Sequence, residues 1–239
     1  MHQASVGFHC PECTRSGRQQ VVRGPVAAGG SGLLVTNALI ALNVAVFVFG
    51  LGSGLQTRST VVIDGGLFGP AVADGEWWRI VTSGFLHANL LHIGFNCFVL
   101  YQLGRLMEPV LGRARFLLVY SVALLSGALG VLLIDPNALT VGASGAVFGM
   151  MGAAVAAMRS RGINPFHTGL GGTIMINLLL TFSISGISIG GHVGGLIGGF
   201  IAGWILTDLG PSKWRDPLVA TALTVALGVA VASACILVV

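Results

Sequence analysis

The chain has 239 residues, of which only 12 are Lys or Arg and 8 are Asp or Glu. Charged residues make up 8% of the sequence, against about 25% in a soluble domain, and the mean hydropathy is +0.88. This composition excludes a soluble globular domain, a disordered segment and a coiled coil. The net charge of +4 does not indicate nucleic-acid binding, because the basic residues stand singly or in pairs between apolar runs. The sequence therefore predicts an integral membrane protein.

The first 32 residues form a polar tail that we expect to be cytoplasmic. It precedes an apolar run without a convincing small-residue cleavage site, so we expect an uncleaved anchor and not a signal peptide. His9-Cys10-Pro11-Glu12-Cys13 is half of a zinc-site pattern, and His2 is a further candidate ligand. Structural zinc normally needs four well-spaced ligands, so we expect no closed metal site from Cys10 and Cys13 in one chain. The motif is a remnant of a longer zinc-binding segment, part of a site in a dimer, or inert.

Seven apolar stretches predict seven membrane spans, since a span needs about 20 apolar residues. Four are free of Asp, Glu, Lys and Arg: residues 33–51, 84–104, 116–134 and 138–158. Residues 162–207 also lack these residue types and fit two spans folded back at the Ser/Gly-rich segment 183–191, and a seventh span is residues 218–239. The predicted fold class is an all-α polytopic membrane protein. We divide it into a tail (1–32), a core (33–209), and a linker with the seventh helix (210–239).

The charges between the spans predict the orientation, because Lys and Arg accumulate in cytoplasmic loops. With the N-terminus inside, ten basic residues lie on the cytoplasmic side and two, Arg58 and Arg79, on the outer side. The outer segment 52–83 is too polar to cross a membrane and contains Trp77 and Trp78, a residue type that favours the membrane interface. We expect a structured loop in the outer leaflet.

Polar residues inside the predicted spans indicate a functional site, because they are costly at membrane depth. The predicted topology starts the second, fourth and sixth spans at the outer face. Four side chains therefore fall at similar depths below that face: His92, Asn96, Ser144 and His192. A spacing of four places His92 and Asn96 on one helical face.

A serine and a histidine at one depth suggest a nucleophile and its general base, with the polar pair stabilising an oxyanion. We expect a dyad of Ser144 and His192 without a carboxylate, since Asp135 lies in an outer turn. Each residue also has a structural interpretation: Ser144 can bond to its own helix, His192 can serve as a proton relay or an interhelical donor, and His92 with Asn96 can join helices.

Glycines in the fourth and sixth spans predict that these two helices pack closely. Gly191, Gly195 and Gly199 recur every four residues, as do Gly145 and Gly149. Small residues at this spacing let helix backbones approach. Such an approach would bring Ser144 towards His192. The alternative is that these glycines pack against other helices, since glycine-rich membrane helices are common.

In combination, the motifs resemble those of the rhomboid intramembrane serine proteases over residues 33–209. GxSG alone is weak, because soluble hydrolases also carry it. The resemblance rests on the order of several motifs: Glu76-Trp77-Trp78-Arg79, Phe85-Leu86-His87, His92-xxx-Asn96, Gly104-Arg105-xx-Glu108, Gly112, Tyr120, Gly142-Ala143-Ser144-Gly145 and Gly191-His192-Val193-Gly194-Gly195.

The resemblance implies a six-helix core, here with an added C-terminal helix, around a water-filled cavity open to the outer face. It implies Ser144 as nucleophile, His192 as base, and His92, Asn96 and the Ser144 backbone N–H as oxyanion donors. Many family members have a tyrosine stacked on the histidine where this chain has Phe148. The implied loop motif is Trp78 and Arg79, the cap is 183–191, and the helix at the substrate entrance is 173–182.

The implied reaction is endopeptidase cleavage of membrane proteins near the outer boundary of their spanning helices. The implied partners are these substrates and the lipid bilayer of the cell membrane, with no nucleic acid, metal or other cofactor.

Two alternative functions are open. A transporter or channel would place ionisable groups through the whole membrane, whereas the polar residues cluster in the outer half. An inactive relative that binds membrane helices usually lacks the serine or the histidine.

Overall fold

The computed structural model describes residues 2–3, 8–9, 32–51, 59–184, 186–208 and 217–239. Cys10 and Cys13 lie outside these residues, as does the linker 210–216. The chain divides into two compact units, Met1–Ser31 and Gly32–Val239. In the first unit, the two-residue strands β1 (His2–Gln3) and β2 (Phe8–His9) pair in antiparallel orientation.

The second unit is built from α-helices. In chain order these are α1 (Leu34–Leu51), α2 (Thr60–Gly65), α3 (Gly69–Ala73), α4 (Arg79–Thr82), α5 (Leu90–Leu111), α6 (Arg113–Ile134), α7 (Ser144–Arg159), α8 (Leu170–Ser183), α9 (Ile189–Thr207) and α10 (Pro217–Leu237). Two short 3₁₀ helices cover Ser83–Phe85 and Pro165–Thr168. The prediction of an all-α bundle is confirmed.

Several of these helices have the length and composition of membrane spans. Within the described residues, α1, α6, α9 and α10 are long and apolar enough to cross a membrane, and Arg79–Phe85 with Leu90–Leu111 forms a fifth candidate that is bent by 91°. Helices α7 and α8 are apolar but shorter. The count of seven spans stays a prediction.

The second predicted span, residues 84–104, differs from the helix in the structure. The α-helix begins only at Leu90 and continues to Leu111. Asn89 is the reason, because its extended backbone and its side-chain oxygen, which accepts from the His92 N–H at 2.9 Å, form an N-cap. Residues 86–89 therefore form a bend and not the start of a span.

The fourth predicted span, residues 138–158, also starts later than expected. The helix begins at Ser144, because the preceding segment pairs with another part of the chain. Leu67 and Thr140 exchange two backbone hydrogen bonds of 2.9 Å. Gly142 then turns the chain at a φ of +137°, a region that favours glycine. Ser144 thus lies at the first helical position.

Helices α6, α7 and α9 form the centre of the bundle, and each buries more residues than any other helix in the described part of the chain. Their facing surfaces carry small residues, so backbones touch directly: a Cβ on Gly194 or Gly130 would overlap the facing backbone. The largest fully buried side chains of these helices belong to one hydrophobic cluster: Phe116, Val119, Tyr120, Val122, Met150 and Met151. Such close contact makes the centre a rigid support for α7 and α9.

The loop between α1 and α5 is held by a buried arginine. Arg79 forms an ion pair with Glu76 at 2.5 Å and donates to the carbonyls of Ile63 and Gly66 at 2.7 and 2.8 Å. Trp78 donates to the carbonyl of Asp64 at 3.3 Å and is more than half exposed. The predicted loop motif therefore holds this segment folded, while its tryptophan faces outwards.

Polar contacts at the helix ends attach α1 to α5 and α10 to α6. The Glu108 carboxylate accepts from the Thr36 hydroxyl at 2.6 Å and from the Val35 and Thr36 N–H groups at 3.0 and 2.9 Å. A carboxylate at this place caps the N-terminus of α1 and complements its dipole. Arg115 donates to the Thr221 hydroxyl and the Pro217 carbonyl, which joins α6 to the first turn of α10.

Candidate active site

The four side chains that the sequence places at one depth all line a single cavity of about 1150 Å³. The cavity lies between α5, α6, α7, α8 and α9 and extends to the segment 134–142. Its lining is mostly apolar, with a few polar groups. Such a lining is typical of a binding site for a ligand that is itself largely apolar. The loop-motif residues Trp78 and Arg79 are not among the lining residues.

Ser144 and His192 are in direct contact in this cavity. The Ser144 Oγ lies 2.8 Å from the His192 Nε2. Ser144 is the first residue of α7, and His192 lies in the first turn of α9. Both helix starts face the same cavity, although the two residues are 48 positions apart. The distance fits a hydrogen bond between a hydroxyl nucleophile and a base.

Glycines explain how the two helices come so close. A Cβ on Gly195 would overlap the Gly145 carbonyl, and a Cβ on Gly199 would overlap the backbone of Gly149. A Cβ on Gly149 in turn would overlap the Ala123 side chain on α6. A larger residue at any of these three glycines would push the helices apart and move the Ser144 hydroxyl away from the His192 ring.

Phe148 packs flat on the His192 ring. The two ring centroids are 4.1 Å apart, with an angle of 18° between the planes. Phe148 lies one turn beyond Ser144 on α7 and is buried. The stack restricts the tilt of the imidazole and supplies no hydrogen bond to it.

The second ring nitrogen of His192 has a partner that the sequence reasoning missed. The Thr181 hydroxyl on α8 lies 2.7 Å from the His192 Nδ1 and donates to the Asn177 carbonyl at 2.7 Å. A threonine in an apolar helix commonly bonds to the carbonyl four residues earlier, so its presence gave no signal of a role. Asn177 one turn earlier is the only sequence feature that could have drawn attention to this face of α8.

Asn96 and His92 lie on the α5 side of the cavity. The Asn96 amide donates to the His92 carbonyl at 2.9 Å, which occupies one of its two hydrogens. The Ala88 N–H points to the His92 Nδ1 at 3.5 Å. With Nδ1 as the acceptor, the proton of a neutral His92 lies on Nε2. Asn96 and His92 can thus both donate into the cavity.

Gly142 keeps His92 next to the serine. A Cβ at this position would lie 2.7 Å from Cε1 and 2.8 Å from Nε2 of His92, and 3.5 Å from the Ser144 Oγ. The Gly142 N–H donates to the Ser83 carbonyl at 2.9 Å, which fixes the turn. The His92 ring and the Ser144 hydroxyl therefore face the same small space, which only glycine leaves open.

His87 lies apart from this cavity. It is 2% exposed, and neither ring nitrogen has a hydrogen-bond partner among the described residues. Its ring contacts the edge of the His92 ring at a centroid distance of 5.0 Å. It lines a small void of about 10 Å³ beside α1 and α2. Within the described part of the chain, no group of three or more His, Cys, Asp or Glu could hold a metal ion.

Comparison with known proteins identifies the family. The model of the Rhomboid domain matches residues 74–209, more than half of the chain. Rhomboid protease GluP of Bacillus subtilis is 34% identical over 161 residues, which are 66% of this chain and 32% of the relative. Putative rhomboid protease YdcA of the same organism is 36% identical over 125 residues, 51% of this chain and 63% of the relative. Rhomboid protease AarA of Providencia stuartii is 31% identical over 144 residues, 52% of this chain and 50% of the relative.

The chain spans less than two thirds of the length of each of these three relatives. The family match begins at Asp74 and ends at Leu209, so it contains both helices that carry Ser144 and His192. Together with the apolar helices of the bundle, the family match confirms the resemblance that the sequence motifs indicated. The protein is a multi-pass membrane protein that belongs to the rhomboid family.

Proposed function

We propose that the protein is an intramembrane serine endopeptidase that hydrolyses peptide bonds in or near transmembrane helices of membrane-protein substrates. The observation that carries the proposal is the 2.8 Å contact between the Ser144 Oγ and the His192 Nε2 inside the cavity. Membership of a family whose relatives are named proteases supports it.

In the proposed reaction, the Ser144 Oγ attacks the carbonyl carbon of the scissile bond while the His192 Nε2 takes the hydroxyl proton. The histidine then gives this proton to the leaving nitrogen, and an acyl-serine ester remains. A water molecule, activated by the same nitrogen, hydrolyses the ester. These steps need no metal and no cofactor.

Three donors would stabilise the oxyanion: the Asn96 amide, the His92 Nε2–H and the backbone N–H of Ser144. The last of these is one of the N–H groups at the start of α7 that have no acceptor within the helix. The positive end of the α7 dipole favours negative charge at the same place. Preorganised donors aimed at the developing negative charge act mainly on the transition state.

The proposed location is the cell membrane, with the N-terminus in the cytoplasm and the cavity open to the outer face. The distribution of Lys and Arg along the sequence supports this orientation. The proposed partners are single membrane-spanning substrates and the bilayer, with no nucleic acid. The apolar lining of the cavity fits a substrate that enters from lipid.

Labelling with a fluorophosphonate reagent tests the nucleophile directly. We expect the purified protein to be labelled at Ser144 and the Ser144→Ala variant to be unlabelled. Ser121→Ala is the matched control, because Ser121 is exposed on α6 and bonds only within its helix, to the Leu117 carbonyl. Labelling of Ser144→Ala equal to that of the native chain would contradict the proposal.

A second measurement addresses the substrate class. Cells carrying the native chain and cells carrying Ser144→Ala are compared for released fragments of membrane proteins. We expect fragments that end near a membrane boundary only with the native chain. A transporter would give no difference in fragments, and an inactive relative would give neither fragments nor labelling.

A further inference from the structure

A threonine hydroxyl lies beside the His192 ring nitrogen that does not contact Ser144. Thr181 is 2% exposed and lies near the C-terminal end of α8. Its Oγ1 is 2.7 Å from the His192 Nδ1 and 2.7 Å from the Asn177 carbonyl oxygen. Thr181 and Asn177 are both buried and both line the cavity. Two short contacts to one hydroxyl determine where its hydrogen lies.

A threonine hydroxyl has one hydrogen to donate and two lone pairs to accept. The Asn177 carbonyl can only accept, so a contact of 2.7 Å to it places the hydroxyl hydrogen on that bond. The Thr181 oxygen then faces the His192 Nδ1 with a lone pair, and Nδ1 must carry the proton. If the hydroxyl instead donated to Nδ1, two acceptor oxygens would face each other at 2.7 Å.

The position of this proton determines what the other ring nitrogen can do. A neutral imidazole carries one proton, so a protonated Nδ1 leaves Nε2 with a free lone pair. Nε2 is the nitrogen that lies 2.8 Å from the Ser144 Oγ. The hydrogen bond to Thr181 thus selects the tautomer in which His192 accepts the serine proton.

We propose that Thr181 is a positioning residue for His192, holding the imidazole in the tautomer and orientation of a general base. This inference rests on the proposed protease function. In Ser-His-Asp triads a carboxylate performs this task, and here a neutral hydroxyl performs it, with its own hydrogen held by the Asn177 carbonyl. Phe148 restricts the tilt of the ring, and Thr181 prevents its rotation about the Cβ–Cγ bond.

Three variants separate this role from packing. Thr181→Val removes the hydroxyl and keeps the shape, and Thr181→Ser keeps the hydroxyl. Thr173→Val is the matched control, because Thr173 on the same helix also bonds to the carbonyl four residues earlier but is exposed and lies away from His192. We expect Thr181→Val to lower kcat on the order of 10-fold to 100-fold, as for groups that orient metal-bound histidines.

KM is expected to stay unchanged, because the cavity keeps its shape. Thr181→Ser and Thr173→Val are expected to keep kcat within about twofold of native, since one retains the hydroxyl and the other does not touch the histidine. A fall in kcat in Thr181→Val that Thr181→Ser does not rescue would overturn the inference. The melting temperature of each variant is measured alongside, and if Thr181→Val does not fold, Thr181→Ala is held to the same outcomes.

The tautomer itself is measured by ¹⁵N NMR of histidine-labelled protein in detergent, with the His192 signals assigned from the His192→Ala spectrum. We expect a protonated Nδ1 and an unprotonated Nε2 in the native chain and in Thr181→Ser. We expect loss of this tautomer in Thr181→Val. An unchanged tautomer in Thr181→Val would overturn the inference, whatever happens to kcat.

The NMR result does not depend on cleavage, so the two proposals fail separately. A native chain that cleaves nothing, but whose His192 tautomer responds to Thr181→Val, would contradict the protease function and support the role of Thr181 in setting the tautomer. The opposite result is that the native chain cleaves substrate, and that Thr181→Val changes neither the His192 tautomer nor kcat. This result would support the protease function and overturn the inference.

Discussion

Two regions of the molecule contribute to the candidate active site in different ways. The central helices α7 and α9 touch backbone to backbone at glycines and hold Ser144 against His192. The peripheral helix α8 buries few of its side chains and exposes large apolar ones such as Met175, Leu179 and Phe182. It nevertheless supplies a hydroxyl to the second nitrogen of His192. The centre sets the distance of the reacting pair, whereas the periphery orients one of its members.

Removing either reacting group from the centre should have the largest effect. We expect Ser144→Ala and His192→Ala each to abolish cleavage of a model membrane substrate. The double variant should lose little more, because residues that act as one unit are strongly non-additive. Cleavage rates at matched expression test this. Clear cleavage by Ser144→Ala would mean that the central contact is not the reacting pair.

Asn96→Ala should have the next largest effect, on the order of 10²-fold to 10³-fold in kcat, by analogy with oxyanion donors in soluble hydrolases. Substrate binding should change little, and the His92 donor and the backbone N–H would retain some activity. The Asn96 amide bonds only to the carbonyl one turn earlier on its own helix in the described structure, so the fold should tolerate the change.

The measurements for Asn96→Ala are kcat, KM and thermal stability in parallel with the native chain. A raised KM with an unchanged kcat would show that Asn96 contacts the substrate in the ground state. Loss of activity in step with loss of folding would return Asn96 to a purely structural role.

Glycine substitutions compare the centre with the periphery most directly. Gly199→Ala on α9 should destabilise the protein by about 1–3 kcal/mol, because the added Cβ would overlap the Gly149 backbone. Cleavage should fall as α7 and α9 separate. Gly172→Ala on α8 is the matched control, since nothing lies within 4 Å of its added Cβ.

We expect Gly172→Ala to be neutral or to stabilise the fold by about 0.4–1 kcal/mol. Thermal unfolding in detergent measures both variants. Equal stability of the two variants would show that the close contact between α7 and α9 does not require glycine at position 199.

The smallest effect is expected at the attachment of α10. Arg115→Ala removes the hydrogen bonds to the Thr221 hydroxyl and the Pro217 carbonyl. The loss should be about 0.5–1.5 kcal/mol for neutral acceptors at a partly exposed site, with kcat unchanged, because Arg115 lies on α6 away from the cavity. A fall in kcat at unchanged stability would show that α10 influences the site.

The family and the general form of the fold could be predicted from the sequence. The scarcity of charge indicated a membrane protein, and the order of motifs indicated a rhomboid, which the family match confirms. The candidate site could also be predicted in part. The sequence predicted one depth for Ser144, His192, His92 and Asn96, and in the structure all four line one cavity. Their catalytic roles remain predictions.

The helix starts could not be predicted from hydropathy, because apolar residues occur on both sides of each start. Residues 84–89 are apolar enough to extend a span, but the Asn89 cap delays α5 to Leu90. Helix α7 starts only after residues 138–143, because Thr140 in this segment pairs with Leu67, which lies far away in the sequence. The first contact is a local cap and the second is tertiary, and neither changes the hydropathy of the chain.

The sequence by itself determined that the chain is a multi-pass membrane protein, and it predicted a serine, two histidines and an asparagine at one depth. Hydropathy and spacing carry this information, since each depends on neighbouring residues along one helix. Only the tertiary structure decided which groups touch. The 2.8 Å contact of Ser144 with His192 depends on glycines from two helices, and the contact of Thr181 with His192 depends on how α8 lies against α9. A hydrogen bond between helices requires both backbones to be placed to within a fraction of an ångström, and packing alone sets that position.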